Sequence, residues 1–405
     1  MIKVDPAFWS GRRRVRVAEI GVVGAGPAGA RAAELLADLG ADVLCFDPRA
    51  PWEKPCGGGL PAAAFRNIPE LVEIRALSRE IRKLRLQSGN EAGIVLPLRE
   101  PLYVIARRRL GSWQLDRARR AGAELIRSKI VGIEPANRGW RLRDDSGGDY
   151  RVRHLVGADG AASRVRRVVA PNLRPELAPT RVTYPRSSAL LAPDEILFAF
   201  FDGAPGYLWD FPRTDHRSVG AAVMPGTWRR ARIDAELLRY LAVDGKGNNG
   251  NSPPDIEIAG ATVATARWLG GEYALIGGPD YALLGDAAGL ADPATGEGIE
   301  NALRSAAFLA ESYARRGDFA LYPDAARGVF EPEFRSMRTI RRVLYRRRFA
   351  ERTIGIARRW RWAERVLRVL VDRCNEHRGR LGVAAASRRV TAPRGRRLSE
   401  AGTGG

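Results

Sequence analysis

Two hydrophobic periods alternate along the chain. The run "AEIGVV" (18–23) is apolar almost throughout, as expected of a strand covered on both faces. Ala32, Leu35, Leu36 and Leu39 then recur at helical spacing, Gly40 stops that helix, and "ADVLCF" leads as a second strand to Asp47. Segments 79–87 and 92–96 predict a strand pair and 110–121 a helix, followed by short strands to about 156 broken at "DDSGGD". Between 180 and 270, β-branched and aromatic segments alternate with turns, the pattern of a mostly antiparallel sheet. A buried strand over 281–285 and a helix over 297–315 follow. From 331 to 378, Phe334, Met337, Ile340 and Leu344, then Trp360, Val366, Leu367 and Leu370, lie at helical spacing among arginines, a basic amphipathic pattern.

These elements predict an α/β protein with a Rossmann-type dinucleotide-binding domain formed by 15–170 and 275–325. A mostly antiparallel β domain (171–274) would be inserted for the substrate, and basic helices over 331–380 would follow. Residues 1–14 read as a basic lead-in, and 381–405, rich in Arg, Gly, Ser and Ala, as a disordered tail.

Charge changes this picture at one end. The net charge is +21, and from residue 331 onward 21 arginines stand against 7 acidic residues, a net +14. Such a block suits an anionic partner, with membrane lipid ahead of nucleic acid, and stacking aromatics are too few there for a nucleic-acid surface. An arginine-rich composition is the competing explanation, because only five lysines occur. Cys45, Cys56 and Cys374 have neither disulfide-framework nor zinc spacing and fit a reducing cytosol. His154, His216 and His377 are scattered, so no metal site is expected. The arginines of "GRRRVRV" precede a strand rather than a signal segment, and no apolar run reaches 18 residues. The expected location is cytoplasmic, peripheral at the inner face of the membrane.

The candidate chemistry begins at "GAGPAG". Gly24 permits the tight turn, Gly26 lets backbone approach a pyrophosphate, and Gly29 lets helix and strand pack closely. Asp47 ends the next strand, placed to bind ribose hydroxyls. Two distant strands end at Asp159 in "GADGAASRVRR" and at Asp286 in "LLGDAAGLADPATGEGIENALRSA". A strand-end aspartate can accept hydrogen bonds from a ribityl chain, and a helix starting near Gly298 can face the negative edge of a reduced flavin. NAD would need neither.

This ordered trio resembles the flavoproteins of the p-hydroxybenzoate hydroxylase fold, with their glutathione reductase-like FAD-binding domain. "KPCGGGL" and "PGYLWDFP" are similar to the geranylgeranyl reductase family, whose members saturate isoprenoid double bonds with reduced FAD. The resemblance covers about residues 17–325. It implies FAD contacts at Ala28, Asp47, Cys56, Gly57, Gly59, Arg107, Asp286, Gly298 and Ile299, with Ile130 near the adenine. It also implies that any NAD(P)H or ferredoxin donor docks only transiently. The chain departs from the family where the first proline of the aromatic motif is one residue closer to Tyr207, where Arg213 replaces a frequent lysine, and where Gly111 replaces a frequent aspartate.

Reduction of an unactivated alkene needs a proton source, a dry pocket and a stabiliser of positive charge. Cys56 is the candidate proton donor, against a reading as a small apolar spacer. Tyr207, Trp209 and Phe211 alternate along one strand face, suited to lining an apolar substrate tunnel, against a reading as ordinary core. A monooxygenase or halogenase of the same fold is the alternative, although "YLWDFP" lacks the paired tryptophans of the halogenase motif.

Overall fold

The computed structural model describes residues 15–88, 93–186, 190–201, 204–224, 226–245, 257–265, 270–346 and 348–376. The lead-in over 1–14 and the tail over 381–405 lie outside the described residues. The first half of the chain runs β1 (Arg16–Val23), α1 (Pro27–Asp38), β2 (Val43–Phe46), β3 (Gly59–Leu60), α2 (Ala62–Asn67), β4 (Arg79–Ser88), β5 (Ile94–Val104) and α3 (Arg107–Arg120). It continues through β6 (Glu124–Ile126), β7 (Ile130–Ala136), β8 (Gly139–Asp144), β9 (Asp149–Gly157) and α4 (Arg164–Val169). The strands β10 (Glu176–Thr183), β11 (Glu195–Phe200), β12 (Gly206–Pro212) and β13 (Arg217–Val223) precede α5 (Arg230–Gly245) and β14 (Ala259–Thr265). Last come β15 (Tyr281–Leu283), α6 (Ile299–Arg316), α7 (Tyr322–Leu344), α8 (Phe349–Arg359) and α9 (Arg361–Glu376).

Two sheets divide these strands. The first has the order β6-β2-β1-β9-β8-β7, with β15 also on β9. Its centre is parallel, with Ile20 opposite Val43 and Gly21 opposite Leu155, while β7, β8 and β9 form an antiparallel flap. The apolar run of β1 is explained by its place between β2 and β9, where Ile20 and Val22 are fully buried. This is the Rossmann-type α/β arrangement, with α1 and α6 packed side by side. The second sheet has the order β14-β10-β13-β12-β11-β4-β5-β3 and is antiparallel except where β4 meets β11.

Three features differ from the sequence expectations. Strands β3, β4 and β5, counted there with the dinucleotide-binding domain, hydrogen-bond into the second sheet, because β4 pairs with β11 more than a hundred residues later. Helix α5 stands inside a stretch read as strands. Ile233, Leu237 and Leu241 at four-residue spacing bury it against the outer face of β12 and β13. Helix α7 runs unbroken across the expected boundary and through Pro332. Its stripe of Tyr322, Ala326, Phe330 and Phe334 is buried in the core of the first sheet, and that packing outweighs the proline's missing hydrogen bond. Helices α8 and α9 then fold back over the second sheet, where Ile354 and Ala357 join Ile81, Leu84 and Leu96. Among the described residues, no helix is long and apolar enough to cross a membrane.

Candidate functional site

A cavity of about 1610 Å³ runs between the two sheets. That exceeds the roughly 300–1,000 Å³ of a pocket for one small ligand. Its two ends differ in chemistry. One is walled by loops of the first sheet, the other by the inner face of the second sheet and by α7, α8 and α9.

At the first end, Gly24 leaves β1 with φ +97°, a conformation that favours glycine. A Cβ on Gly29 would stand 1.8 Å from the Gly24 carbonyl oxygen, so this glycine serves packing, and it does not line the cavity. A Cβ on Gly26 would meet nothing within 4 Å, which leaves its backbone bare to the cavity. Ala28 lines the wall beside it at the start of α1. Asp47 accepts from the N–H groups of Ala25 (2.9 Å), Arg49 (2.8 Å) and Ala50 (3.0 Å), tying the glycine turn to the loop after β2.

Asp159 accepts from Arg164 N at 2.6 Å and Val165 N at 3.2 Å, an anion over the first turn of α4. Arg166, buried, donates to the carbonyls of Ala161 (2.6 Å) and Ala287 (2.8 Å), which brings the Asp159 and Asp286 turns together. Asp286 pairs with Lys54 at 2.8 Å. Gly298 and Ile299 line the cavity at the start of α6, whose first N–H groups have no partner within the helix. Ile130 and Arg107 line it too, and the buried Nε of Arg107 has no acceptor among the described residues. A bare glycine turn, two helix starts and an orphaned guanidinium nitrogen fit a dinucleotide with anionic and carbonyl-bearing groups.

Cys56, half-buried, stands where the two ends meet. Its Sγ accepts from Gly58 N at 3.4 Å, and its carbonyl accepts from Arg213 and Ser218. The glycines that follow are demanded in part by the protein itself. A Cβ on Gly57 would lie 2.8 Å from the Phe211 ring, and one on Gly58 2.1 Å from the Ile105 carbonyl oxygen.

At the second end, Tyr207, Trp209 and Phe211 share the inner face of β12, while Leu208 and Asp210 point to α5. Gly220 leaves room for the Trp209 indole, which would lie 2.2 Å from a Cβ there. Phe198 packs 5.2 Å from both Tyr207 and Phe211. The Tyr207 hydroxyl donates to the Thr295 carbonyl, and Tyr345 at the end of α7 donates to Ala294 at 3.0 Å. Burial, followed by the neighbouring Tyr207 and Asp292, pushes the Tyr345 phenol well above its ordinary pKa, so it stays a donor. Two phenols thus hold the loop that enters α6.

Sequence reasoning missed Lys54, Glu53 and Tyr345. The first two flank Cys56 in "WEKPCGGGL" and were legible as part of that motif. Their partners Asp286 and Arg213 lie 232 and 160 residues away, beyond any spacing argument.

No model of a known protein family matches the chain. It is 28% identical over 333 residues to a geranylgeranyl diphosphate reductase of Synechocystis sp., covering 73% of this chain and 75% of the relative. It is 30% identical over 328 residues to a menaquinone reductase of Mycobacterium tuberculosis, covering 76% of this chain and 79% of the relative. A solved geranylgeranyl bacteriochlorophyll reductase-like protein of Thermoplasma acidophilum superposes with TM-score 0.72 at 22% identity, over 85% of this chain and 92% of that one. A flavin-dependent brominase superposes less closely, with TM-score 0.63 at 15% identity, over 92% of this chain and 98% of that one.

Proposed function

The chain belongs to the geranylgeranyl reductase family of FAD-dependent oxidoreductases, and from that premise we propose that it saturates isolated double bonds in the polyisoprenoid chain of a lipid, quinone or pigment precursor. The observation that carries this reading is the continuous cavity, whose glycine-walled end opens directly into an apolar, aromatic-walled one. Gly24, Gly26, Ala28, Asp47 and Ile130 would hold the adenosine and pyrophosphate of FAD. Cys56, Gly57, Gly59, Arg107, Asp159, Asp286, Gly298 and Ile299 would hold its flavin half.

FAD held by these residues would supply, in its reduced form, the hydride equivalent for one alkene carbon, with NAD(P)H or ferredoxin as the transiently docked electron donor. The Cys56 thiol gives the balancing proton to the other carbon. Tyr207, Trp209 and Phe211 exclude water and turn aromatic faces toward the carbon that gains cation character. Met337, Ile354, Leu367 and Val371 complete the apolar wall.

The cavity also reaches the surface at the C-terminal helices. Ile340, Phe349 and Leu370 line it and are 41%, 37% and 53% exposed. Trp360 and Trp362 stand out nearby at 56% and 63% exposure among Arg358, Arg359, Arg361, Arg365 and Arg368. This combination supports a peripheral site on an anionic membrane, from which a prenyl chain enters.

The test is anaerobic incubation of dithionite-reduced protein with geranylgeranyl compounds, read by mass spectrometry. Gains in steps of two hydrogens are expected. Oxygen gain in air with no anaerobic product would favour the monooxygenase or halogenase alternative. Cys56→Ala should keep its flavin and lose about 10²–10⁴-fold in kcat, with partial activity in Cys56→Ser. Unchanged turnover in the alanine variant would remove the thiol from the reaction.

A further inference from the structure

Arg213 follows the aromatic strip on β12 and is one of the largest fully buried side chains in the molecule. Its guanidinium Nη1 donates to Glu53 Oε1 at 2.6 Å and lies 3.0 Å from His216 Nε2. Nη2 donates to the Cys56 carbonyl at 2.7 Å, and the charge sits 5.2 Å from the centre of the Tyr184 ring. Ser218 Oγ donates to the same Cys56 carbonyl at 2.9 Å and in turn accepts from Trp209 Nε1 at 3.3 Å. The Glu53 carboxylate also accepts from the N–H groups of Arg107 and Arg108, each at 3.0 Å, at the start of α3. Tyr184, its phenol pushed by burial up to about 12, donates to the Lys54 carbonyl at 3.4 Å. The segment from Glu53 to Cys56 is therefore gripped at three points by side chains of the second sheet.

Burying a guanidinium carries a desolvation cost that hydrogen bonds in good geometry must offset. Here the planar fork spans two groups of one loop, the Glu53 carboxylate and the Cys56 carbonyl, which an ammonium on a flexible stem cannot hold in the same way. Arg217, four residues on, is buried as well, but its Nε donates to Asp210 at 2.9 Å on the opposite face of the sheet. Only one of the two arginines is turned toward the cavity loop.

We propose that Arg213 is a positioning residue that fixes the Cys56 thiol against the cavity wall where the two ends meet. Its consequence for turnover rests on the reading of Cys56 as the proton donor, but the placement of the thiol does not. The thiol can be followed directly, by iodoacetamide alkylation of flavin-loaded protein in a Cys374→Ser background. Cys45 is fully buried, with its thiol pKa pushed up by burial, and stays silent.

In Arg213→Lys the alkylation rate at Cys56 should change by about tenfold, the scale of a lost hydrogen bond to a charged group. Its kcat should fall while KM for the prenyl substrate stays within about twofold. Arg217→Lys should leave the alkylation rate as in wild type. An unchanged rate in folded, flavin-loaded Arg213→Lys, or an equal change in both lysine variants, would overturn the proposal. If Arg213→Lys does not fold, Ser218→Ala carries the test by removing the other donor to the same carbonyl. An altered rate there supports the placement and an unaltered one defeats it. A rate that responds in a protein that reduces no alkene would uphold the positioning role and refute the reaction.

Discussion

The two ends of the cavity are built by opposite means. The first is made of backbone, with Gly24 and Gly26, the starts of α1 and α6, and carboxylates held by main-chain N–H groups. The second is made of side chains, with Tyr207, Trp209, Phe211 and Phe198 on the sheet and Met337, Leu367 and Val371 on helices that arrive last in the chain. Backbone groups are the same in every sequence, so the first end owes its fit to phosphate and carbonyl groups mainly to spacing and glycine. An apolar wall can be assembled from many side-chain combinations, so the second end is specified by volume and shape. A cofactor shared by a family suits the first construction, and a substrate that varies within it suits the second.

Substitutions at the two ends should therefore fail differently. The largest effect is expected at Gly29, where a Cβ would collide with the Gly24 carbonyl. Gly29→Ala should lose the folded first sheet together with flavin, by more than about 4 kcal/mol, seen as loss of the thermal transition. Gly26→Ala should fold normally, since its Cβ has open space, yet weaken FAD binding by about 1–3 kcal/mol in a titration. Equal melting and equal FAD affinity in that variant would mean that the turn does not face the cofactor. At the other end, Leu367→Ala should leave flavin affinity unchanged and raise KM for a prenyl substrate by about tenfold, the scale of the apolar contact removed. A fall in flavin content there would show that the two ends are not separable.

The smallest effect concerns the outer surface. The protein should sediment with anionic vesicles at low salt and be released as added salt shortens the Debye length. Arg365→Gln should cost about 1 kcal/mol of that binding. Equal binding to neutral vesicles, or none to either, would leave the +14 excess of the segment from 331 as a matter of composition.

The first end was nearly all legible in the sequence. Gly24, Gly26 and Asp47 lie within 24 consecutive residues, and strand, turn and helix are local structures whose signals sit in the same stretch. Asp159 and Asp286 were legible too, each at the end of an apolar run. For Gly57 the resemblance implied a cofactor contact and nothing more. The bare loop also makes way for Phe211 and the Ile105 carbonyl, which only the folded chain brings alongside.

By itself the sequence determined what local chemistry can determine. It specified the parallel βαβ unit, the strip of alternating aromatics and the basic amphipathic character of the last helices. Tertiary structure decided where those pieces meet. It placed β4 and β5 in the second sheet, ran α7 through Pro332, and laid α8 and α9 across the apolar end of the cavity. It also joined Lys54 to Asp286 and Arg213 to Cys56 across 232 and 157 residues. Periodicity and turn chemistry act over one or two turns of chain. Ion pairs and packing between distant segments depend on loop paths and on which apolar surfaces find one another, and no spacing within a linear sequence encodes that choice.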